Sequence, residues 1–377
     1  MHVYTSLLLI TAILLATILG AVPAIALSSS AGANVTFRCN AQHIGDHRSA
    51  TGSSMSNCLL NWRYTTGGGV YSSPAITNGI VYVGSMDNNV YALNATTGAK
   101  VWNYTAGSFV YSSPTVANRI VYIGSGDCNV YALNANNGTK VWSYKTGASV
   151  NSSPTVANGI VYIGSGDSNV YALDAKTGTK VWSYKTGDWV DPSSPTIANG
   201  IVYVGSNDHK IYALDAKTGT KVWSFLTGDA VYSSPTVVNE IVYAASSDKN
   251  VYALNATTGT KLWNYTTGDS VSSSPTIANG IVYVGSGDHN VYALNAATGT
   301  KVWNYTTGDS VSSSPTVVSK IVYIGSADYN VYAIDARIGR VVWSFLTGDV
   351  VYSSPTVVND VVYVGSWDHN VYALGKP

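Results

Sequence analysis

Charge is scarce in this chain. Only 11% of its 377 residues are charged, and 20 Lys and Arg balance 20 Asp and Glu. A chain with zero net charge has no long-range steering toward nucleic acid or an acidic membrane. Glutamate occurs once, at Glu240. Cysteine occurs three times, with no CxxC and no adjacent pair, which excludes a disulfide-dense scaffold and a thiolate metal centre. After Leu27 no apolar run is long enough to cross a bilayer. The glycines fall in turns rather than in a phosphate-cradling loop, and no histidine recurs beside the many serines, so neither a nucleotide cradle nor a serine nucleophile is indicated.

Aromatics are abundant but skewed: 28 Tyr and 10 Trp against 4 Phe. Such a skew arises when a few positions are copied many times. From Val70 onward one unit recurs, for example Val271 to Ser310, "VSSSPTIANGIVYVGSGDHNVYALNAATGTKVWNYTTGDS". The Ser-Ser-Pro prolines are Pro74, Pro114, Pro154, Pro195, Pro235, Pro275, Pro315 and Pro355, eight in all, spaced by 40 with one step of 41. Each unit reads as four short strands: "SPTIA", then an Asn-Gly hairpin, "IVYVGS", a polar turn "GDHN", "VYALN", a Thr-Gly turn, and "TKVWNY". No unit has room for a helix, and four-strand units of about 40 residues predict an all-β, eight-bladed propeller of antiparallel blades.

The eighth unit contains three strands and stops at Leu374, without a fourth. One orphan fourth strand, "LLNWRYTTG" at residues 59–67, precedes the first Ser-Ser-Pro. Its Trp62 matches Trp102, Trp142, Trp182, Trp223, Trp263, Trp303 and Trp343. The expectation is a closed ring in which residues 59–67 complete the last blade, since an open array leaves unpaired strand edges. The eight tryptophans are then a structural girdle between blades, where Trp→Ala costs about 3–5 kcal/mol. Most tyrosines also read as packing between blades.

The stretch "ALDAKTGTKVW", Ala172 to Trp182, resembles the repeat signature of the pyrroloquinoline-quinone (PQQ)-like propeller family. Seven internal copies keep the alanine, Asp or Asn, glycine and tryptophan, with Asn137 and Ile338 departing at the threonine. The likeness runs from residue 59 to the C terminus, and "AQHIG" at 41–45 looks like a segment that precedes such propellers. The resemblance implies kinship both with quinone-dependent dehydrogenases and with non-enzymatic outer-membrane-assembly propellers. The enzymes need a calcium held by acidic and amide groups, a catalytic aspartate, commonly an adjacent cysteine pair, and long loops. This chain has one extra residue near Asp191-Pro192 and no adjacent cysteines. No catalytic, cofactor-binding or metal residue is therefore expected, and PQQ with calcium belongs only to the dehydrogenase alternative.

The Asp-x-Asn pairs in most units, such as Asp288 and Asn290, read as Asx turns rather than calcium ligands. His209, His289 and His369 share one repeat position in alternate units, too far apart to hold one ion. Positions that differ between units concentrate in the link between blades and the turn between second and third strands, on one rim. Unit four is the least regular, with Trp189, Asp191, Asn207, His209 and Lys210 together. These form the candidate partner-binding rim, with Tyr329, Trp367 and His369 as a second group.

Residues 1–26, apolar from Leu7 on in a run that reaches Leu27 and with an Ala-x-Ala at 24–26, read as a signal peptide or an uncleaved anchor. Residues 27–58 form a lead-in whose Cys39 and Cys58 are a candidate disulfide, with free thiols the alternative. Asn103, Asn264 and Asn304 lie in glycosylation sequons at the ring's perimeter. The expected protein is exported, monomeric and at the cell surface, touching a membrane only through its N-terminal segment if that is uncleaved. Its expected role is a non-catalytic scaffold for a protein or envelope component, with no nucleic acid. A PQQ-dependent dehydrogenase and a carbohydrate-binding surface protein are the alternatives.

Overall fold

The third strand of each unit buries both faces. In Asn89–Asn94, Val90 and Ala92 pack toward one neighbouring blade, and Tyr91 and Leu93 toward the other. A strand with two apolar faces is stable only between two other sheets. Eight copies of that requirement close into a ring, and the core accordingly lies between blades as eight like clusters.

The computed structural model describes residues 59–375. The N-terminal segment 1–26, the lead-in 27–58 and the Cys39–Cys58 pairing lie outside the described residues. The described residues form eight four-stranded antiparallel sheets, and no helix among them is long and apolar enough to cross a membrane. Blade 1 comprises Ala75–Thr77, Ile80–Gly84, Asn89–Asn94 and Lys100–Thr105, from the axis outward. The Ser-Pro expected to open the first strand stays outside it. The Ser73 N–H donates to the Ser113 hydroxyl of the next blade instead of to a ladder.

The ring closes as the sequence predicts. Leu59–Thr65 pairs with Asn370–Gly375, with Trp62 opposite Ala373 and a bulge after Leu60. Internal blades use the same register, with Trp102 opposite Ala92. Both halves of the composite blade reach one acceptor: Trp62 Nε1 and the Tyr363 hydroxyl each donate to the Ala95 carbonyl of blade 1, at 2.9 and 3.1 Å. The tryptophan girdle forms in the same way around the ring. Seven indoles donate to an alanine carbonyl in the following blade. Trp343 is buried like the others, but its Nε1 has no acceptor among the described residues.

Around the axis runs a belt that sequence reading did not foresee. The N–H of the second serine in each Ser-Ser-Pro donates to the equivalent serine hydroxyl of the next blade, eight times, ending with Ser354 to Ser73. A second belt runs from threonine hydroxyls to the neighbouring proline carbonyl, as in Thr115 to Pro154, and is interrupted where blade 1 has Ala75.

Candidate functional site

The repeated aspartates are structural. Asp87 Oδ1 accepts the Asn89 N–H at 3.0 Å, closing the Asx turn that the sequence indicates. Its Oδ2 accepts both the Tyr91 hydroxyl and the Gly67 N–H of the preceding blade, each at 2.6 Å. Burial works to raise this carboxyl, but the bonds from Tyr91, Gly67 and Asn89 outweigh it and hold it below the usual range. The same balance lowers Asp127, Asp167, Asp248, Asp288 and Asp328. Each is thus a rivet between blades, and among the described residues no group of three metal-ligating side chains converges.

The turn between second and third strands carries a residue at positive φ before its final Asn or Lys. His209, His289 and His369 occupy it at φ 67, 68 and 71, as Cys128, Lys249 and Tyr329 do elsewhere. The position tolerates many residues because its side chain leaves the turn toward solvent. His209 and His289 each lie 3.7 Å from an aspartate of the next link, Asp229 and Asp309.

The inter-blade links meet these turns on one rim. The Asn207 N–H donates to the Trp189 carbonyl, and the Thr227 N–H to the His209 carbonyl. Trp189, Asn207, His209 and Lys210 therefore surround one turn of blade 4. The Trp189 side chain is 56% exposed. Lys210 Nζ lies 3.5 Å from Asp208. Leu226, opposite Lys210 on the outermost strand, is 67% exposed and enlarges the patch. Sequence reading missed it, although "SFLTG" breaks the polar ending of the neighbouring units and was the available signal. The second group lies in blades 7 and 8: exposed Tyr329, half-buried Trp367 and exposed His369.

Asp191 does not join the Trp189 patch. It turns toward the axis, where its Oδ2 accepts Asn151 Nδ2 at 2.9 Å. Burial pushes its carboxyl up to about 6, against bonds from Asn151 and Ser149 that act to lower it. Nearby, the residues preceding Ser-Ser-Pro surround a small hollow at the mouth of the central channel. Tyr352, Tyr71 and Tyr111 form an arc, with ring centroids 5.5 and 5.2 Å apart. Asn151 and Pro192 follow, then Tyr232, Ser272 and Ser312. These four tyrosines, unlike the repeated strand tyrosines, face the axis rather than pack between blades. Trp367 continues the arc outward, its ring 6.0 Å from Tyr352.

The hollow measures about 80 Å³. Pockets for drug-sized ligands occupy roughly 300–1,000 Å³, and calcium takes about six to eight oxygens, usually with several carboxylates. One carboxylate behind one amide, in so small a space, does not fit a tricyclic quinone with its calcium.

The sequence profile of the family described as outer membrane protein assembly factor BamB matches residues 41–188, 188–274 and 267–376. A comparison with curated proteins returns no match. Among solved structures, BamB from Moraxella catarrhalis superposes with a TM-score of 0.74 at 21% identity, covering 85% of this chain and 100% of that one. The computationally designed Ika8 protein superposes at 0.75 with 18% identity, covering 83% and 98%. The quinohemoprotein alcohol dehydrogenase ADHIIG from Pseudomonas putida HK5 superposes at 0.79 with 16% identity, covering 91% and 80%. At these identities the likeness establishes the fold.

Proposed function

Since the chain belongs to the family of outer membrane protein assembly factor BamB, we propose that its propeller is a non-catalytic scaffold binding a protein partner in the cell envelope through the rim at Trp189. The observation that carries this reading is the exposed pair Trp189 and Leu226, 56% and 67% accessible, set beside Asn207, His209 and Lys210. An exposed indole next to an aliphatic side chain and polar groups has the composition of an interface centre. The regular aspartates, by contrast, are held in bonds between blades.

The test is capture from a native envelope extract by wild type, by a Trp189→Ala/Leu226→Ser variant, and by a Leu346→Ser control at the equivalent site of blade 7. One protein retained by wild type and control but lost by the double variant is the expected result. Equal retention by all three removes the site. Addition of PQQ and calcium is expected to produce neither a bound-quinone absorbance band nor dye reduction, and the appearance of both overturns the scaffold reading in favour of the dehydrogenase.

A further inference from the structure

Each blade ends in an outer strand whose far edge has no neighbouring strand. Such an edge is a template for pairing with another chain, and a charged side chain on it, lysine above all, opposes that pairing. Six of the eight outer strands begin with an exposed lysine: Lys100, Lys140, Lys180, Lys221, Lys261 and Lys301. The composite blade 8 has Leu60 at that place but carries the exposed Arg63 in mid-strand. Blade 7 has neither guard. Its strand Val341–Leu346, "VVWSFL", is the only one of the eight described outer strands without a charged residue. Val341 and Leu346 are exposed at its two ends, and Ile338 is exposed in the turn before it. The backbone of this strand is also free to pair. The Thr347 N–H donates inward to the Tyr329 carbonyl. By the alternation of an antiparallel ladder, Phe345 and Trp343, opposite Val331 and Ala333, bond inward too. Ser344 and Leu346 therefore turn their N–H and C=O groups away from the sheet, where no strand follows.

We infer that this edge joins a second copy of the chain, strand antiparallel to strand, about a two-fold axis at Ser344. An antiparallel pair sets outward-turned residues opposite one another. Ser344 then meets its own copy, and Leu346 of each chain meets the Val341-Val342 bulge of the other. Two small hydroxyls lie at the centre and apolar contacts at both ends, the cross-strand pairs that stabilise a sheet. No charge within the strand opposes the contact. The same operation on blade 8 sets Arg63 against Arg63, and on blades 1 to 6 it puts a lysine at each end of the ribbon. One ring thus offers one edge that complements itself, so the contact closes at two copies instead of growing into a fibre. That self-complementarity specifies a second copy rather than an unrelated strand. A contact built on one strand of 6 residues is small. It falls below the roughly 1,200–2,000 Å² of standard interfaces, so the dimer is weak, half-formed at about 0.1 mM. It takes the place of the monomer expected from sequence. None of the residues at the Trp189 patch takes part, so either surface can fail alone.

Sedimentation equilibrium of the full chain measures the association. Wild type is expected to pass from monomer to dimer as concentration rises. Ser344→Arg copies blade 8 and Val341→Lys copies blades 1 to 6, and each should weaken the dimer about tenfold or more. Both install a residue that another blade already holds at that position, so both should melt with wild type. Trp189→Ala should leave the association unchanged. Cross-linking locates the axis. Paired Cα atoms that exchange hydrogen bonds across an antiparallel ladder lie about 5.5 Å apart, within disulfide reach. Ser344→Cys should therefore form a disulfide-linked dimer under mild oxidation, and Ser183→Cys, at the same place in blade 3, should not. A wild type that stays monomeric up to about 1 mM, undiminished association of Ser344→Arg or Val341→Lys, growth beyond the dimer, or equal cross-linking of the two cysteine variants overturns the inference.

Discussion

Gly178 meets two constraints at once. Its φ is +74°, and an added Cβ would lie 2.7 Å from the Trp142 ring of the preceding blade. Gly159, in a hairpin turn, shares the positive φ of +76° but has nothing within 4 Å. The pair separates backbone strain from lost space. Gly159→Ala should cost about 1 kcal/mol, the left-handed penalty for a Cβ. Gly178→Ala should cost about 3 kcal/mol or more, because the indole must move as well. Denaturant melts of both variants measure the difference, and equal costs show that the tryptophan yields freely. Elsewhere the same hairpin position is not glycine: Arg119, Glu240, Lys320 and Asp360 all hold positive φ there. The isolated Glu240 is thus a turn residue, and its rarity in the chain carries no chemical meaning.

At the scale of the strand, closure rests on Leu59–Thr65, whose pairing and bulge repeat those of every internal fourth strand. Deleting residues 59–67 leaves Asn370–Gly375 as an exposed edge and removes Trp62 from the Ala95 carbonyl. Trp62→Ala alone should cost about 3–5 kcal/mol. The deletion should lower the melting temperature further and produce concentration-dependent light scattering from the bare edge. Unchanged melting means that the serine belt suffices to hold the ring. The strands and their closure were legible because a repeat of 40 residues writes each element eight times, so a missing copy such as the fourth strand of unit eight is conspicuous. The belt was not legible, because Ser73 bonds to a residue 40 positions away and only a closed ring brings them together. The channel mouth was hidden for a related reason. Tyr71 and Tyr82 are both tyrosines of one unit, yet one faces the axis and the other bonds the next blade at Ala135. Asp191 stands only two positions from Trp189 in sequence, yet Trp189 is exposed while Asp191 is largely buried and bonded to Asn151. Leu226 and Trp189 are 37 positions apart and are tied to the same region only through the blade 4 turn, Trp189 by the Asn207 N–H and Leu226 by its pairing with Lys210.

Across the whole ring, the aspartate rivets couple stability to pH. In Asp87, Asp127, Asp167, Asp248, Asp288 and Asp328, burial raises the carboxyl, yet bonds from tyrosine, glycine and asparagine bring it below the ordinary 3.8. A carboxyl lowered in the folded state contributes stability above its unfolded pKa and loses it as pH falls through the folded one. Asp191 has the opposite sign. Raised to about 6, it contributes stability below 3.8 that is lost as pH rises through about 6. Six groups of one sign outweigh one of the other, so acid destabilises the ring. The melting temperature should hold near neutrality and fall steeply below 3.8. Each rivet joins two blades, so blades should not melt separately but in one transition. Asp288→Asn breaks one rivet: it should melt lower than wild type at neutral pH and lose less on acidification. A variant as acid-sensitive as wild type, or stepwise melting in acid, shows that the aspartates do not carry the linkage.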